Sequence, residues 1–448
     1  MWKSILLIVM ITVTFKIEAQ EVLSPRVAEP QIKSMKASVA ELRKGEPGPD
    51  LARALNVLGT LLYRVGEHSE ATPLLIESVA LWDKLGKPVE PGRVSAVVNL
   101  ARAYSVDGKL DRAEALLVEL RELLDKDSQQ REPRYGTVLN NLSLVWEEKG
   151  ELAKAEPLYK QAIEIFERAG TEFDRQRAAA LNNLSALQLS RNANEEAERS
   201  ARLSMKLLEQ VVGPSDAETA LSVHTLAMAM HATGRRDEAA ELYNRSLRIC
   251  ESTLGGGHPS VAMIQTSLAA LWMEQGYNNK AETLLVRSLA TRERQLGLNH
   301  PETAITVAGL GTLRLRERRL SEAEELLARS VNVLRVSPGG VKAHMINALG
   351  NLAESEFLQG SYDKRKYAMA EKHFREVVTM NEKLLFLDDR KLTAVLDRLA
   401  ESCAAQRKYR DAEAAEHRAL TIRTASLGER HPDTVANLRR YTSLLKKH

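Results

Sequence analysis

Apolar and polar positions follow a helical rhythm along this chain, and the rhythm itself repeats. In "NNLSLVWEEKGELAKAEPLY" (140–159), Leu142, Trp146 and Leu158 recur at helical rather than strand spacing. Between them stand a small residue, Ser143, a glycine, Gly150, and a bare Ala155. Stepping by 42 from Gly150 meets Gly66, Gly108, Asn192, Gly234, Gly276, Arg318 and Gly360. Stepping from Ala155 meets Ala71, Ala113, Ala197, Ala239, Ala281 and Ala323; a five-residue insertion within "SYDKRKYAMA" (361–370) then shifts the register to Ala370 and Ala412. Leu142 returns as Leu58, Leu100, Leu184, Leu226, Leu268, Leu310, Leu352 and Leu399. Beside it the Ser143 column stays small: Gly59, Ala101, Ser185, Ala227, Ala269, Gly311, Ala353 and Ala400.

Such a pattern predicts a pair of antiparallel helices joined at the glycine. Gly, or Asn in its place, suits a turn at positive φ, which makes Arg318 the odd member. The small residue and the alanine mark where the two backbones come closest, since larger side chains there would force the pair apart at about 1–3 kcal/mol. Nine units in one register predict an all-α chain, a right-handed superhelical solenoid of about nine helix-turn-helix repeats with a C-terminal capping helix. The divisions expected are a leader over 1–19, a lead-in with a short helix over 20–49, nine repeats over 50–430 and the cap over 431–448.

Within each unit, Leu139-x2-Leu142-Ser143-x2-Trp146 followed by Ala155-x3-Tyr159 resembles the tetratricopeptide repeat. The 42-residue period and the loops "LGGGHPSVA" (254–262), "LGLNHPETA" (296–304) and "LGERHPDTV" (427–435) are similar to the extended repeats of the kinesin light chain type. "VGPSDAETA" (212–220) and "LGKPVEPG" (85–92) depart from that loop pattern. The His-Pro pairs read structurally. Pro259, Pro301 and Pro432 suit a first helical turn, Glu302 and Asp433 suit the positive helix end, and His258, His300 and His431 lie too far apart to share an ion.

Composition changes this picture little. Hydrophobic residues make up 44%, charged ones 27%, and the net charge of +3 gives no footprint for nucleic acid. The start changes it more. Lys3, an apolar run over residues 4–15 and Ile17-Glu18-Ala19 together read as a signal peptide, too short to span a bilayer at roughly 20 residues. The expectation is export, periplasmic or secreted, with no membrane span in the mature chain; an uncleaved anchor is the alternative. Two distant cysteines, Cys250 and Cys403, do not make a disulfide scaffold.

No phosphate loop, H-E-x-x-H, C-x-x-C or Gly-x-Ser-x-Gly motif occurs, so no catalytic, metal or cofactor site is expected. The expected activity is the binding of a protein or peptide by the concave face, which first helices line in solenoids. With Gly150 as the fifteenth position of its repeat, the sixth position gives Asn99, Asn141, Asn183 and Asn351, and the fifth gives Asn56, Asn140 and Asn182. An asparagine ladder offers donors and acceptors to an extended backbone. In the kinesin light chain type, similar asparagines line the peptide groove. Arg53, Arg64 and Arg102 add positive charge at that end, and the asparagines are expected on a solvated face. Further on, Met228, Met263 and Met273 suggest an adaptable apolar contact, or else core. A structural, self-associating role is the competing reading.

Overall fold

A computed structural model of the chain describes residues 25–65, 67–126, 132–337, 341–384 and 389–446. The expected leader over 1–19 and the Gly66 turn lie outside the described residues. Among those described, every regular element is helical. A first helix, α1 (Pro25–Leu42), precedes nine pairs. These are α2 (Pro49–Arg64) with α3 (His68–Lys84), α4 (Pro91–Val106) with α5 (Leu110–Lys126), α6 (Pro133–Glu148) with α7 (Leu152–Ala169), and α8 (Asp174–Ser190) with α9 (Asn194–Val211). Next come α10 (Ala217–Ala232) with α11 (Arg236–Leu254), α12 (Pro259–Glu274) with α13 (Asn278–Leu296), and α14 (Pro301–Arg316) with α15 (Leu320–Val336). The pairs α16 (Lys342–Gln359) with α17 (Arg365–Leu384) and α18 (Asp389–Ala405) with α19 (Tyr409–Leu427) follow, and α20 (Pro432–Leu445) is unpaired. The chain divides into two compact units, the first running to Ile264 and the second from Gln265.

The two columns of small residues do what their size implies. All nine alanines of the second-helix column, from Ala71 to Ala412, are completely buried. Ser185 of the first-helix column donates 2.7 Å across the pair to the carbonyl of Ala197, a direct measure of how near the backbones run. A Cβ added to Gly59 would lie 2.8 Å from Leu75 Cγ, and one added to Gly311 would lie 2.8 Å from Leu327 Cγ.

The turn column also behaves uniformly, with one exception. Gly108, Gly150, Gly234 and Gly276 have positive φ, and so do Asn192 at 58° and even Arg318 at 63°. The geometry of the helix pair thus imposes the left-handed conformation on a residue that favours it poorly. Gly360 differs, with φ of −58°. There the insertion lengthens the turn, and glycine is required by space: a Cβ would meet Tyr367 at 2.4 Å.

Three further columns hold the array together. Serines at one position of the second helix donate to a first-helix carbonyl of the same repeat: Ser78 to Ala52, Ser204 to Ala178, Ser246 to Ala220 and Ser330 to Ala304. The residue after each column alanine is usually glutamate, and it pairs with a basic residue of the next repeat. Glu114 pairs with Lys149, Glu156 with Arg191, Glu198 with Arg235, Glu282 with Arg314, Glu324 with Lys366 and Glu371 with Lys408. The His-Pro histidines are N-caps. His258, His300 and His431 accept through Nδ1 from the amides of Ser260, Glu302 and Asp433 at 3.1–3.2 Å. Each satisfies one of the donors that a helix start leaves unpaired.

Candidate functional site

Within the first unit, α2, α4, α6 and α8 pack side by side, which brings the asparagine ladder onto one face. The ladder is largely bonded to itself. Asn99 Nδ2 donates to Asn56 Oδ1 at 3.0 Å and to Thr60 Oγ1 at 3.1 Å, and Asn56 Nδ2 donates to Ser95 Oγ at 3.2 Å. Arg102 Nε donates to Asn141 Oδ1 at 2.8 Å, while Asn141 Nδ2 donates to the Thr137 carbonyl at 2.8 Å. Asn183 Nδ2 reaches Asn140 Oδ1 at 3.3 Å.

A rule underlies these contacts. Where the ninth position of a first helix is polar, it bonds the sixth position of the next, 39 residues on: Thr60 with Asn99, Arg102 with Asn141 and, in the second unit, Thr312 with Asn351 at 2.9 Å, whereas Leu144, Ala186, Met228 and Ala270 make no such bond through their side chains. Past the five-residue insertion the same latch becomes ionic, Glu354 with Arg398 at 2.9 Å. Burial pushes the Glu354 carboxyl up, against the pull of Arg398.

Several expectations need correction. Asn141, Asn182 and Asn183 are not on a solvated face; they are 2%, 0% and 1% exposed, because adjacent first helices close over them. Asn56 is buried as well, whereas Asn99 and Asn140 are half-buried. Met228, Met263 and Met273 are buried rather than offered as a contact surface. The reason lies in α10 and α12, which are apolar on nearly all sides, and such helices bury every face. Met273 packs with Ala281, Leu285, Leu310 and Leu313. Arg53 is exposed but engaged, 2.7 Å from Asp50 and stacked over Trp82. Arg64 is half-buried near the end of α2.

One part of the ladder is unsatisfied. Neither polar side-chain atom of Asn182 has a partner, nor does Asn183 Oδ1, although all three are buried. Leaving such atoms unpaired costs about 1–3 kcal/mol each, so native structures rarely do it. The local cause is legible. The ninth position before Asn183 is Leu144, which packs with Ala155, Tyr159, Leu184 and Leu187 and offers no latch. Asn183 turns to Asn140, while the residue 43 places after Asn182, Thr225, donates to the Leu221 carbonyl of its own helix.

Elsewhere, burial drives the His224 imidazole down to about 3, keeping it neutral. Cys250 and Cys403 are buried free thiols, and burial pushes both up to about 12, away from thiolate chemistry. Among the described residues no cluster of metal-ligating side chains occurs, and no helix is long and apolar enough to cross a membrane.

Comparison with known proteins agrees with this geometry. One tetratricopeptide repeat model matches residues 134–210, 216–276 and 261–335, and a second matches 51–85 and 392–433, together more than half of the chain. The chain belongs to the tetratricopeptide repeat family. Its repeats are similar to those of the kinesin light chain type, as in a putative kinesin light chain from Podosopora anserina with nearly identical repeats. That protein is 24% identical over 46% of this chain and 97% of its own, with a TM-score of 0.39. BtubC (BKLC) from P. vanneervenii is 19% identical over 63% of this chain and 94% of its own, with a TM-score of 0.37. A Rap protein complexed with competence and sporulation factor shares the fold at a TM-score of 0.51, 16% identical over 79% of this chain and 98% of its own. No curated protein matches the chain by sequence.

Proposed function

We propose that the chain is a non-enzymatic interaction scaffold that takes an extended peptide segment along the face built by α4, α6 and α8. The observation that carries this reading is the row of asparagines that adjacent first helices bring onto one face, of which Asn99 and Asn140 stay half-buried at its surface. A peptide laid along that face meets side-chain amides able to donate and accept. The Rap relative, solved with competence and sporulation factor, supports the class of activity. Export is part of the proposal and rests on the leader-like residues 1–19. N-terminal sequencing of the mature protein tests it.

The binding test is selection from a peptide library displayed on phage, followed by anisotropy titration of the selected peptides. Wild-type protein should select a binding consensus, and Asn99→Ala with Asn140→Ala should bind those peptides about 10-fold more weakly or worse. Equal binding by that variant would remove the site from consideration. Self-association is a second reading, favoured by Leu427, Leu438 and Leu445, all exposed around α19 and α20. Light scattering of the purified protein distinguishes it.

A further inference from the structure

The last described helix, α20, is a first helix without a second, and it continues the columns of the nine pairs. His431 and Pro432 follow His300 and Pro301 by three 42-residue periods and the five-residue insertion, so Leu438, Thr442 and Leu445 take the places of Val307, Gly311 and Arg314 in α14. The place of Leu438 is held elsewhere by Leu55, Leu139, Leu181, Leu349 and Leu396, none more than 5% exposed, each in a first helix packed on its own second helix. Leu438 itself is 46% exposed and Leu445 45%. Thr442, in the column of small residues, is exposed between them, and Val435 is half-buried one turn before. Thr442 Oγ1 donates to the Leu438 carbonyl at 2.9 Å. Ser143, in the same column, donates to Leu139 at 2.8 Å and is fully buried with that bond. The face of α20 can therefore be covered without leaving a polar group unpaired.

The nine pairs show what such a face takes. Against the small column runs a helix with a bare alanine at the closest approach and an apolar residue four places on, as Ala323 and Leu327 of α15 stand against Gly311, with Ser330 and Leu334 further along the same side. The other unpaired helix, α1, holds the place of a second helix before α3, pairing Lys36 with Glu70 and Arg43 with Glu77. It carries exposed Lys33 and Lys36 at the places of Leu75 and Ser78, 42 residues on, so it offers no apolar cover. Arg439 and Lys446, seven residues apart and so on one side of α20, are exposed along the edge of its apolar stripe. A second copy would set cations against cations, whether it presented α20 or α1. We infer that the stripe of Val435, Leu438, Thr442 and Leu445 docks an amphipathic helix of another protein, with an alanine over Thr442, leucines along the same side and an acidic edge facing Arg439 and Lys446. The partner thereby completes a tenth repeat. The inference does not rest on the asparagine face.

The test uses the full chain and a fluorescein-labelled synthetic peptide of residues 320–336, the α15 sequence, in which Glu322, Glu324 and Glu325 supply the acidic residues. Anisotropy should show saturable binding, and methyl NMR of leucine-labelled protein should show shifts at Leu438 and Leu445. Leu438→Glu with Leu445→Glu should bind the peptide at least about tenfold more weakly. Its thermal midpoint should stay that of the wild type, because both side chains are already exposed. A peptide with Ala323→Leu, too bulky for the closest approach, should bind wild-type protein about tenfold more weakly. Asn99→Ala with Asn140→Ala should bind the peptide as wild type does. No saturable binding up to about 1 mM peptide, equal binding by the glutamate variant, or indifference to Ala323→Leu overturns the inference. So does a dimer in light scattering that Leu438→Glu dissolves, which would assign the face to a second copy. None of these results bears on the phage selection, so the groove reading and this one fail separately.

Discussion

Asn182 and Asn141 sit 41 residues apart on neighbouring first helices, are buried alike, and should respond to the same substitution with opposite signs. Leucine matches asparagine in heavy-atom count and branching, so steric cost is small at either site. It also favours the helix by about 0.5 kcal/mol. At Asn182, leucine removes two buried polar atoms that bond nothing, each costing about 1–3 kcal/mol. The free protein should therefore gain at least about 2 kcal/mol with Asn182→Leu. At Asn141, leucine breaks 2.8 Å bonds with Arg102 and with the Thr137 carbonyl, so Asn141→Leu should lose about 1–2 kcal/mol. Stacked repeats open locally, so the assay is amide hydrogen exchange across α6 and α8, with the urea midpoint as a global check. Equal destabilisation by the two variants would refute the reasoning, because it would show that the Asn182 amide is already satisfied in the free protein.

Other outcomes follow from the columns. Gly311→Ala gains about 1 kcal/mol of helix propensity but drives a methyl to 2.8 Å from Leu327 Cγ, at about 1–3 kcal/mol; the net should be a loss, and a rise in the urea midpoint would contradict the close approach. His300→Ala should cost about 1 kcal/mol in protection of the first turn of α14, and His300→Asn should recover most of it. The staple glutamates predict acid sensitivity. Burial raises the Glu198 and Glu371 carboxyls, but the bases beside them, Arg202 and Arg235 for one and Lys408 and Arg375 for the other, hold both below the usual 4.5. Their contribution is present above that value and is lost as pH falls through the depressed folded values, so Glu198→Gln with Glu371→Gln should flatten the acid limb of a stability-versus-pH curve.

Packing was legible in the sequence because packing repeats. A column such as Ala71 to Ala412 says the same thing nine times, and close helix approach is the one physical cause that demands it. The serine at Ser78, Ser204, Ser246 and Ser330 and the glutamate after the column alanine recur in the same register, but not in every repeat. They belonged to polar residue types that ordinarily read as solvated surface, and only their partners reveal them as inter-helix bonds. Burial of the asparagine ladder was not legible. Periodicity places Asn141 and Asn183 on the inward side of their helices, but whether that side is open depends on how closely neighbouring first helices stack, which no single repeat encodes. For Met228, Met263 and Met273 the sequence leaves contact surface and core both open, and burial of α10 and α12 on nearly all sides decides for core.

In a repeat array, what every unit shares must serve folding, because each unit meets the same neighbour problem. Recognition of a particular partner needs an asymmetry, and the informative residues are those that break a column. Arg318 breaks the turn column, yet its backbone conforms at φ of 63°, so that departure is absorbed by the fold. The ninth position is no such column: it reads Thr60, Arg102, Leu144, Ala186, Met228, Ala270, Thr312 and Glu354, so its bond to the next repeat comes and goes along the array. At Leu144 the side chain packs with Ala155, Tyr159, Leu184 and Leu187 instead. Positions that change from repeat to repeat, and not the columns that pack the helices, are where one partner is told from another.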